Sequence, residues 1–123
     1  MIRKFYEAKD GDTVEVWGTG KPLRQQLHVD DLAKIIPILL EKHHSEVPLI
    51  VAPHENLSIQ SMVSTIKKKS GKDCDVIYNN KLDGQFRKDG SNRRLVNLIG
   101  DYEFIKFDDG LEQTYDWYTS SRS

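Results

Sequence analysis

Cysteine is almost absent from this sequence. Cys74 is the only one among 123 residues, so no disulfide can form within the chain and no site with several cysteine ligands can hold a metal. The four histidines lack the spacing of metal ligands. Such sparing use of cysteine is typical of a reducing compartment. We therefore expect a cytoplasmic protein without a metal site.

Long apolar runs and an excess of one charge are also lacking. No segment approaches the roughly 18 consecutive apolar residues that a membrane-spanning helix needs, and the charged start of the chain does not match a secretory signal. Eighteen Lys and Arg stand against nineteen Asp and Glu, a net charge of −1, whereas general nucleic-acid-binding proteins carry a strongly basic surface. We expect neither a membrane nor nucleic acid among its partners.

The length fits one domain with a real core. Alternating or continuous apolar residues predict three short strands, at 13–17, 49–52 and 75–78. The first nine residues predict a helix, and we expect that helix to begin outside this chain. Short strands alternating with several helices indicate a small α/β domain of α+β-like character.

Three further stretches have the apolar spacing of amphipathic helices. Each follows a residue type that caps helix N-termini: Asp30 or Asp31, Ser58, and Asp108 or Asp109. Pro37 lies inside the first helix and is expected to kink or loosen it. Gly71 is expected to end the second. Glu112 is placed for a capping box in the third.

Two motifs match cofactor chemistry only in part. The "GTG" at 18–20 resembles a dinucleotide-binding loop, but it lacks the third glycine and precedes Pro22 instead of a helix. The "YEFIK" at 102–106 has the Tyr-x-x-x-Lys spacing of short-chain dehydrogenases, whose Tyr and Lys must share a helix. Gly100 before it favours an extended connector that docks Phe104 on the core. We expect no cofactor-binding residue in this chain.

Two polar features are better explained by structure than by chemistry. His28 precedes Asp30 by two residues and has the residue types of an oriented base or half a metal site, but no partner histidine or nucleophile completes either one. The lysines at 67–69 fit a solvated helix end, where the helix dipole favours positive charge. Neither feature predicts a catalytic or metal-binding residue.

Anion-binding and ring-bearing side chains remain on the loops. Arg24 offers a planar fork for a phosphate or pyrophosphate, and Trp17 offers a large stacking surface. The loop "NNKLDGQFRKDGSN" adds Asp83, whose carboxylate can accept sugar hydroxyls, and the cations Arg87 and Lys88. Together they indicate a nucleotide-sugar site.

These motifs also carry a family resemblance. The stretch "VWGTGKPLRQQLHVDDLAK" resembles the segment that opens the substrate-binding domain of extended short-chain dehydrogenase/reductases acting on nucleotide sugars. Its Arg-x-x-x-His-Val-Asp-Asp core is common to several such enzymes. With "KLDGQFRK" and the final "GLEQTYDWY", the similarity covers nearly the whole chain and looks like the GDP-fucose branch. The Asp-Gly-x-x-x-Lys loop at 83–88 is the more discriminating motif.

The resemblance implies a two-domain enzyme. In that family an amino-terminal Rossmann domain carries NADP(H) and the catalytic residues, and a carboxy-terminal domain holds the GDP-sugar. Residues 1–123 match the second domain alone. By this analogy Trp17, Arg24, Asp83 and Lys88 are the substrate-binding residues. No residue here matches the catalytic or cofactor-binding positions of the family.

The implied reaction is 3,5-epimerisation of GDP-4-keto-6-deoxy-D-mannose followed by NADPH-dependent reduction at C4. We expect the chain to be inactive without its Rossmann domain, and the full enzyme to be a homodimer. Two alternatives stay open. One is the substrate domain of another nucleotide-sugar dehydratase or epimerase, with a preference for UDP or dTDP. The other is a non-catalytic module that binds a protein partner.

Overall fold

The computed structural model describes residues 1–122 as five helices and five short strands. The helices are α1 (Ile2–Glu7), α2 (Val29–Lys42), α3 (Ile59–Ser70), α4 (Arg93–Ile99) and α5 (Phe107–Ser120). The strands are β1 (Thr13–Val16), β2 (Leu23–Arg24), β3 (Leu57–Ser58), β4 (Asp75–Tyr78) and β5 (Arg87–Lys88). This mixture of several helices and short strands confirms the predicted small α/β fold.

The strands form two small sheets. In the first, β1 and β4 pair in parallel over four residues each, from Thr13 opposite Asp75 to Val16 opposite Tyr78. In the second, β2 lies between β3, to which it is antiparallel, and β5, to which it is parallel. The strands predicted near 13–17 and at 75–78 are therefore confirmed.

The strand predicted at 49–52 is wrong. These residues have the apolar sequence of a buried strand but form no strand, and Ile50 is half exposed. An apolar run becomes a strand only when a neighbouring strand takes up its backbone hydrogen bonds. In the described part of the chain no strand lies beside this segment.

The main core lies where α1, α3 and α5 meet the first sheet. Strand β1 alternates in burial, with Val14 and Val16 directed inward, as its period-two pattern requires. Phe5 of α1 is completely buried, and Cys74 also lies in this core. The buried members of the cluster are Phe5, Ala8, Val14, Val16, Val63, Ile66, Cys74 and Leu111.

Helix α2 is capped by His28, so the predicted caps Asp30 and Asp31 are wrong. The Nδ1 of His28 accepts a hydrogen bond from the Asp30 amide at 3.2 Å, which confirms a structural role for this histidine. The Asp31 carboxylate is buried and accepts bonds from the Tyr102 hydroxyl and the Ile105 amide, both at 2.9 Å. These two donors hold the buried carboxylate, so it does not cap the start of the helix.

The other helices confirm some predicted ends and correct others. Ser58 Oγ accepts a bond from the Ser61 amide, and Gly71 ends α3 with φ of 65°. Helix α5 begins after Lys106 without a side-chain cap. The predicted capping box is wrong because Glu112 instead binds Lys69 of α3, at 2.9 Å.

Two predictions about polar segments have different outcomes. The lysines at 67–69 are not simply solvated, because Lys69 pairs with both Glu112 and Asp116 across the α3–α5 interface. Residues 102–106 form no helix, as expected of a connector. Phe104 docks edge-to-face on the rings of Tyr102 and His54.

The apolar stripe of α2 is divided between two faces. Ile35 is completely buried, whereas Val29, Leu32, Ile36 and Leu40 are 37 to 77% exposed. We call these four exposed residues the open face of α2. Because these residues are spaced three or four positions apart, they share one side of the helix, where exposed apolar side chains can contact another surface. Pro37 lies within α2 without ending it. None of the described helices has the length and apolar character needed to cross a membrane.

Candidate functional site

The candidate site is built on two loops that run side by side. The first loop, residues 17–22, connects β1 to β2, and the second, residues 79–86, connects β4 to β5. Because β1 pairs in parallel with β4, and β2 in parallel with β5, both loops leave the first sheet at the same end and enter the second sheet at the same end. We refer to these segments as the paired loops.

Asp83 joins the paired loops through Thr19. Its Oδ1 accepts a hydrogen bond from the Thr19 amide at 2.7 Å, and its Oδ2 accepts one from Thr19 Oγ1 at 2.6 Å. These two bonds lower the pKa of Asp83 below its usual range, and the positive charges of Lys21 and Arg24 contribute to the same shift. Asp83 is therefore held as an oriented carboxylate.

Gly18 makes this contact possible. Its φ is 83°, a left-handed conformation that glycine adopts without the steric cost of a side chain. A Cβ at this position would overlap Asp83 Oδ1. The "GTG" motif thus has a structural explanation, and it leads into β2 rather than into a helix, which removes the basis for a dinucleotide-binding loop.

Arg24 binds the second loop through backbone oxygens. Its guanidinium donates to the carbonyls of Leu23 at 2.7 Å, Gln85 at 2.9 Å and, more weakly, Phe86 at 3.4 Å. A guanidinium has five N–H groups in a fixed fork, so these contacts leave donors for an anion. The side chain is half-buried and held in place.

The two remaining predicted residues lie at the solvent-facing side of this arrangement. The register of β2 and β5 places Lys88 directly opposite Arg24 along the backbone, and Lys88 is exposed. Trp17 follows β1 and is 73% exposed. Arg87, also considered as a phosphate ligand, forms a bidentate pair with Asp89 at 2.7 and 3.0 Å, and its charge is balanced locally.

Sequence reasoning missed two amide side chains that hold this region, one within the paired loops and one just beyond them. Asn79 accepts bonds from the amides of Gly18 and Lys81. Gln25 donates to the carbonyl of Gly90 and accepts from its amide at 2.8 Å. An amide directly after a strand is a weak signal for such a role, because Asn and Gln are common in solvated loops. Only the pairing of β1 with β4 and of β2 with β5 makes their partners identifiable.

The site offers anion donors and one oriented carboxylate, but no metal centre. Within residues 1–122, no group of three or more His, Cys, Asp and Glu lies close enough together to hold a metal ion. A phosphate group could accept hydrogen bonds from the cations, and hydroxyl groups could donate to the carboxylate. Such groups can bind a ligand that carries both negative charge and hydroxyl groups.

Comparison with known proteins gives consistent matches. The NAD dependent epimerase/dehydratase family matches residues 1–51. GDP-L-fucose synthase 1 of Arabidopsis thaliana is 36% identical over 126 aligned residues, covering 96% of this chain and 37% of that protein. GDP-L-fucose synthase of Escherichia coli (strain K12) is 32% identical, covering 99% of this chain and 41% of that protein.

The fold comparison agrees with the sequence. A crystal structure of a GDP-L-fucose synthetase from Naegleria fowleri bound to NADP superposes with a TM-score of 0.92 and 27% identity. The match covers 98% of this chain and 39% of that one. The chain thus spans about two fifths of the length of these relatives. The resemblance found in the motifs is confirmed, and the chain is related in both sequence and fold to the GDP-L-fucose synthases.

Proposed function

We propose that this chain is the GDP-sugar-binding part of a GDP-L-fucose synthase. Trp17, Arg24, Asp83 and Lys88 are its substrate-binding residues. The observation that carries the proposal is the pairing of the two loops. It brings Asp83 within hydrogen-bond distance of Thr19 and sets Lys88 opposite Arg24, although these partners are more than 60 positions apart in sequence.

Each proposed contact uses a hydrogen-bonding group or a ring surface that the contacts within the protein do not fully occupy. Arg24 and Lys88 offer N–H donors and positive charge to the pyrophosphate. Asp83 has lone pairs beyond those engaged by Thr19, and these can accept sugar hydroxyls. Trp17, with most of its ring in solvent, supplies a wall for the ligand.

The proposed enzyme needs more than this chain. Its substrate is GDP-4-keto-6-deoxy-D-mannose, which it epimerises at C3 and C5 and reduces with NADPH at C4. Because the relatives extend well beyond the matched region, we assign NADP(H) binding and catalysis to a Rossmann domain. The open face of α2 is a surface on which a further domain can pack. A homodimeric enzyme and a cytoplasmic location stay predictions from the sequence.

The pyrophosphate contact is tested by Arg24→Ala. Removing one partner of a partly desolvated charge pair costs about 2 to 5 kcal/mol, and we expect about 2 kcal/mol for GDP binding by this chain, the low end of that range. Calorimetric titration with GDP measures it. Arg94→Ala is a matched control, since Arg94 also donates to a backbone carbonyl, that of Pro48, outside the paired loops. Equal affinities for both variants would remove Arg24 from the site.

Catalytic dependence on the Rossmann domain is tested separately. We expect this chain alone to leave NADPH unoxidised in the presence of the 4-keto sugar nucleotide. Absorbance of NADPH at its nicotinamide band follows the reaction, with a complete GDP-L-fucose synthase as the positive control. Turnover by the isolated chain would contradict the assignment of catalysis to a Rossmann domain.

A further inference from the structure

Thr19 has more contacts to the proposed site than its position in a short loop would suggest. Its amide and hydroxyl donate to different oxygens of the same carboxylate, at 2.7 and 2.6 Å. Its Oγ1 also accepts a hydrogen bond from the Lys21 amide at 3.3 Å. Because that amide occupies a lone pair, the hydroxyl proton is directed at Asp83.

The effect of this geometry on Asp83 is twofold. The two donors restrain the carboxylate in both position and rotation, since each oxygen has its own partner. Donors to the charged form also favour ionisation, which is the direction of the pKa shift at this residue. An ionised carboxylate accepts hydrogen bonds at both oxygens, whereas a protonated one presents a donor instead.

We propose that Thr19 is a positioning residue for substrate recognition, holding Asp83 in the orientation in which it accepts hydroxyls of the hexose of the bound sugar nucleotide. This inference rests on the proposed function. It goes beyond it by assigning a role to a side chain that acts through Asp83. It also predicts that Thr19 affects recognition of the hexose hydroxyls rather than of the GDP portion.

The test compares two probes, GDP-mannose and GDP, whose affinity ratio isolates the hexose contribution. Thr19→Val removes the hydroxyl bond to Asp83 and keeps the amide bond. We expect this variant to bind GDP-mannose about fivefold more weakly, because a hydrogen bond to a charged group is lost, while its GDP affinity changes less. Thr19→Ser retains the hydroxyl and should restore the ratio.

A matched control removes a similar bond elsewhere. Thr65 Oγ1 donates to Asp108 at 3.1 Å between α3 and α5, so Thr65→Val deletes a threonine–aspartate bond outside the paired loops. We expect it to leave both affinities as in the wild type. A loss confined to Thr19→Val then cannot come from a general loosening of the fold.

A double-mutant cycle separates positioning from independent action. If Thr19 works through Asp83, Thr19→Val added to Asp83→Asn weakens GDP-mannose binding no further than Asp83→Asn alone. Additive losses, or a Thr19→Val variant with a wild-type affinity ratio, overturn the inference while leaving GDP binding intact. Failure of the wild-type chain to bind either nucleotide contradicts the proposed function, and the inference with it.

Discussion

The core and the paired loops are held together by different forces. In the core, α1, α3 and α5 bury apolar side chains such as Phe5 and Val16 against the first sheet. In the paired loops, hydrogen bonds of Thr19, Asn79 and Arg24 connect the segments. Apolar burial is non-directional and grows with the area removed from water, whereas hydrogen bonds fix particular atoms.

This difference separates stability from recognition. A buried phenyl ring has no capacity left for a ligand, but a carboxylate or guanidinium in a loop contact still has lone pairs or N–H groups to offer. Groups that order the loops can therefore also bind. We therefore expect large losses of stability from core substitutions, and smaller losses of stability together with lost binding from substitutions in the loops.

The largest expected effect is in the core. Phe5→Ala removes a completely buried ring and should lower the free energy of unfolding by about 3 to 5 kcal/mol, from lost transfer energy and a residual cavity. Urea unfolding followed by circular dichroism measures this change. Phe86→Ala is the control, because Phe86 is 59% exposed. A similar loss for both would show that burial of Phe5 does not stabilise the core.

A smaller effect is expected where the two loops meet. Gly18→Ala places a Cβ against Asp83 and forces a left-handed conformation on alanine, which costs about 1 to 2 kcal/mol for the backbone alone. Gly11→Ala is matched, since Gly11 has φ of 88° and no atom near its missing Cβ. We expect Gly18→Ala to be the less stable variant and to lose GDP binding, with Gly11→Ala losing stability only.

The smallest effect concerns acid stability. The pKa of Asp83 is lowered in the folded state by Thr19, so its contribution to stability is present above its ordinary pKa of about 3.9 and is lost as pH falls through the lowered value. Asp83→Asn should therefore reduce the loss of stability between neutral pH and acid. Comparing urea midpoints of both proteins across that range tests this sign. A steeper acid loss in the variant would contradict it.

Much of the core could be predicted from the sequence because its signals are local. Alternation in 13–17 and helical spacing after Ser58 each depend only on neighbouring residues. Helix α4 was missed, since it spans only seven residues, too few for a helical apolar spacing to repeat over several turns. The segment at 49–52 shows the opposite error, because its apolar run is strand-like although no described strand pairs with it.

The candidate site could be predicted only in part. The types of Trp17, Arg24, Asp83 and Lys88 indicate ligand chemistry, and the motifs around them carry the family resemblance. Their placement in the fold depends on strand pairings across more than 60 residues, which no local pattern encodes. The positioning contact of Thr19 was therefore beyond sequence reasoning.

The most direct test is a nuclear magnetic resonance titration of the indole N–H signals. Trp17 lies at the paired loops and Trp117 on α5, and both are mostly exposed, so Trp117 is an internal control. We expect GDP to shift the Trp17 signal, UDP to shift it less at equal concentration, and the Trp117 signal to stay unchanged. A preference for UDP would indicate another nucleotide-sugar enzyme, and a Trp17 signal that neither nucleotide moves would contradict a substrate site at the paired loops.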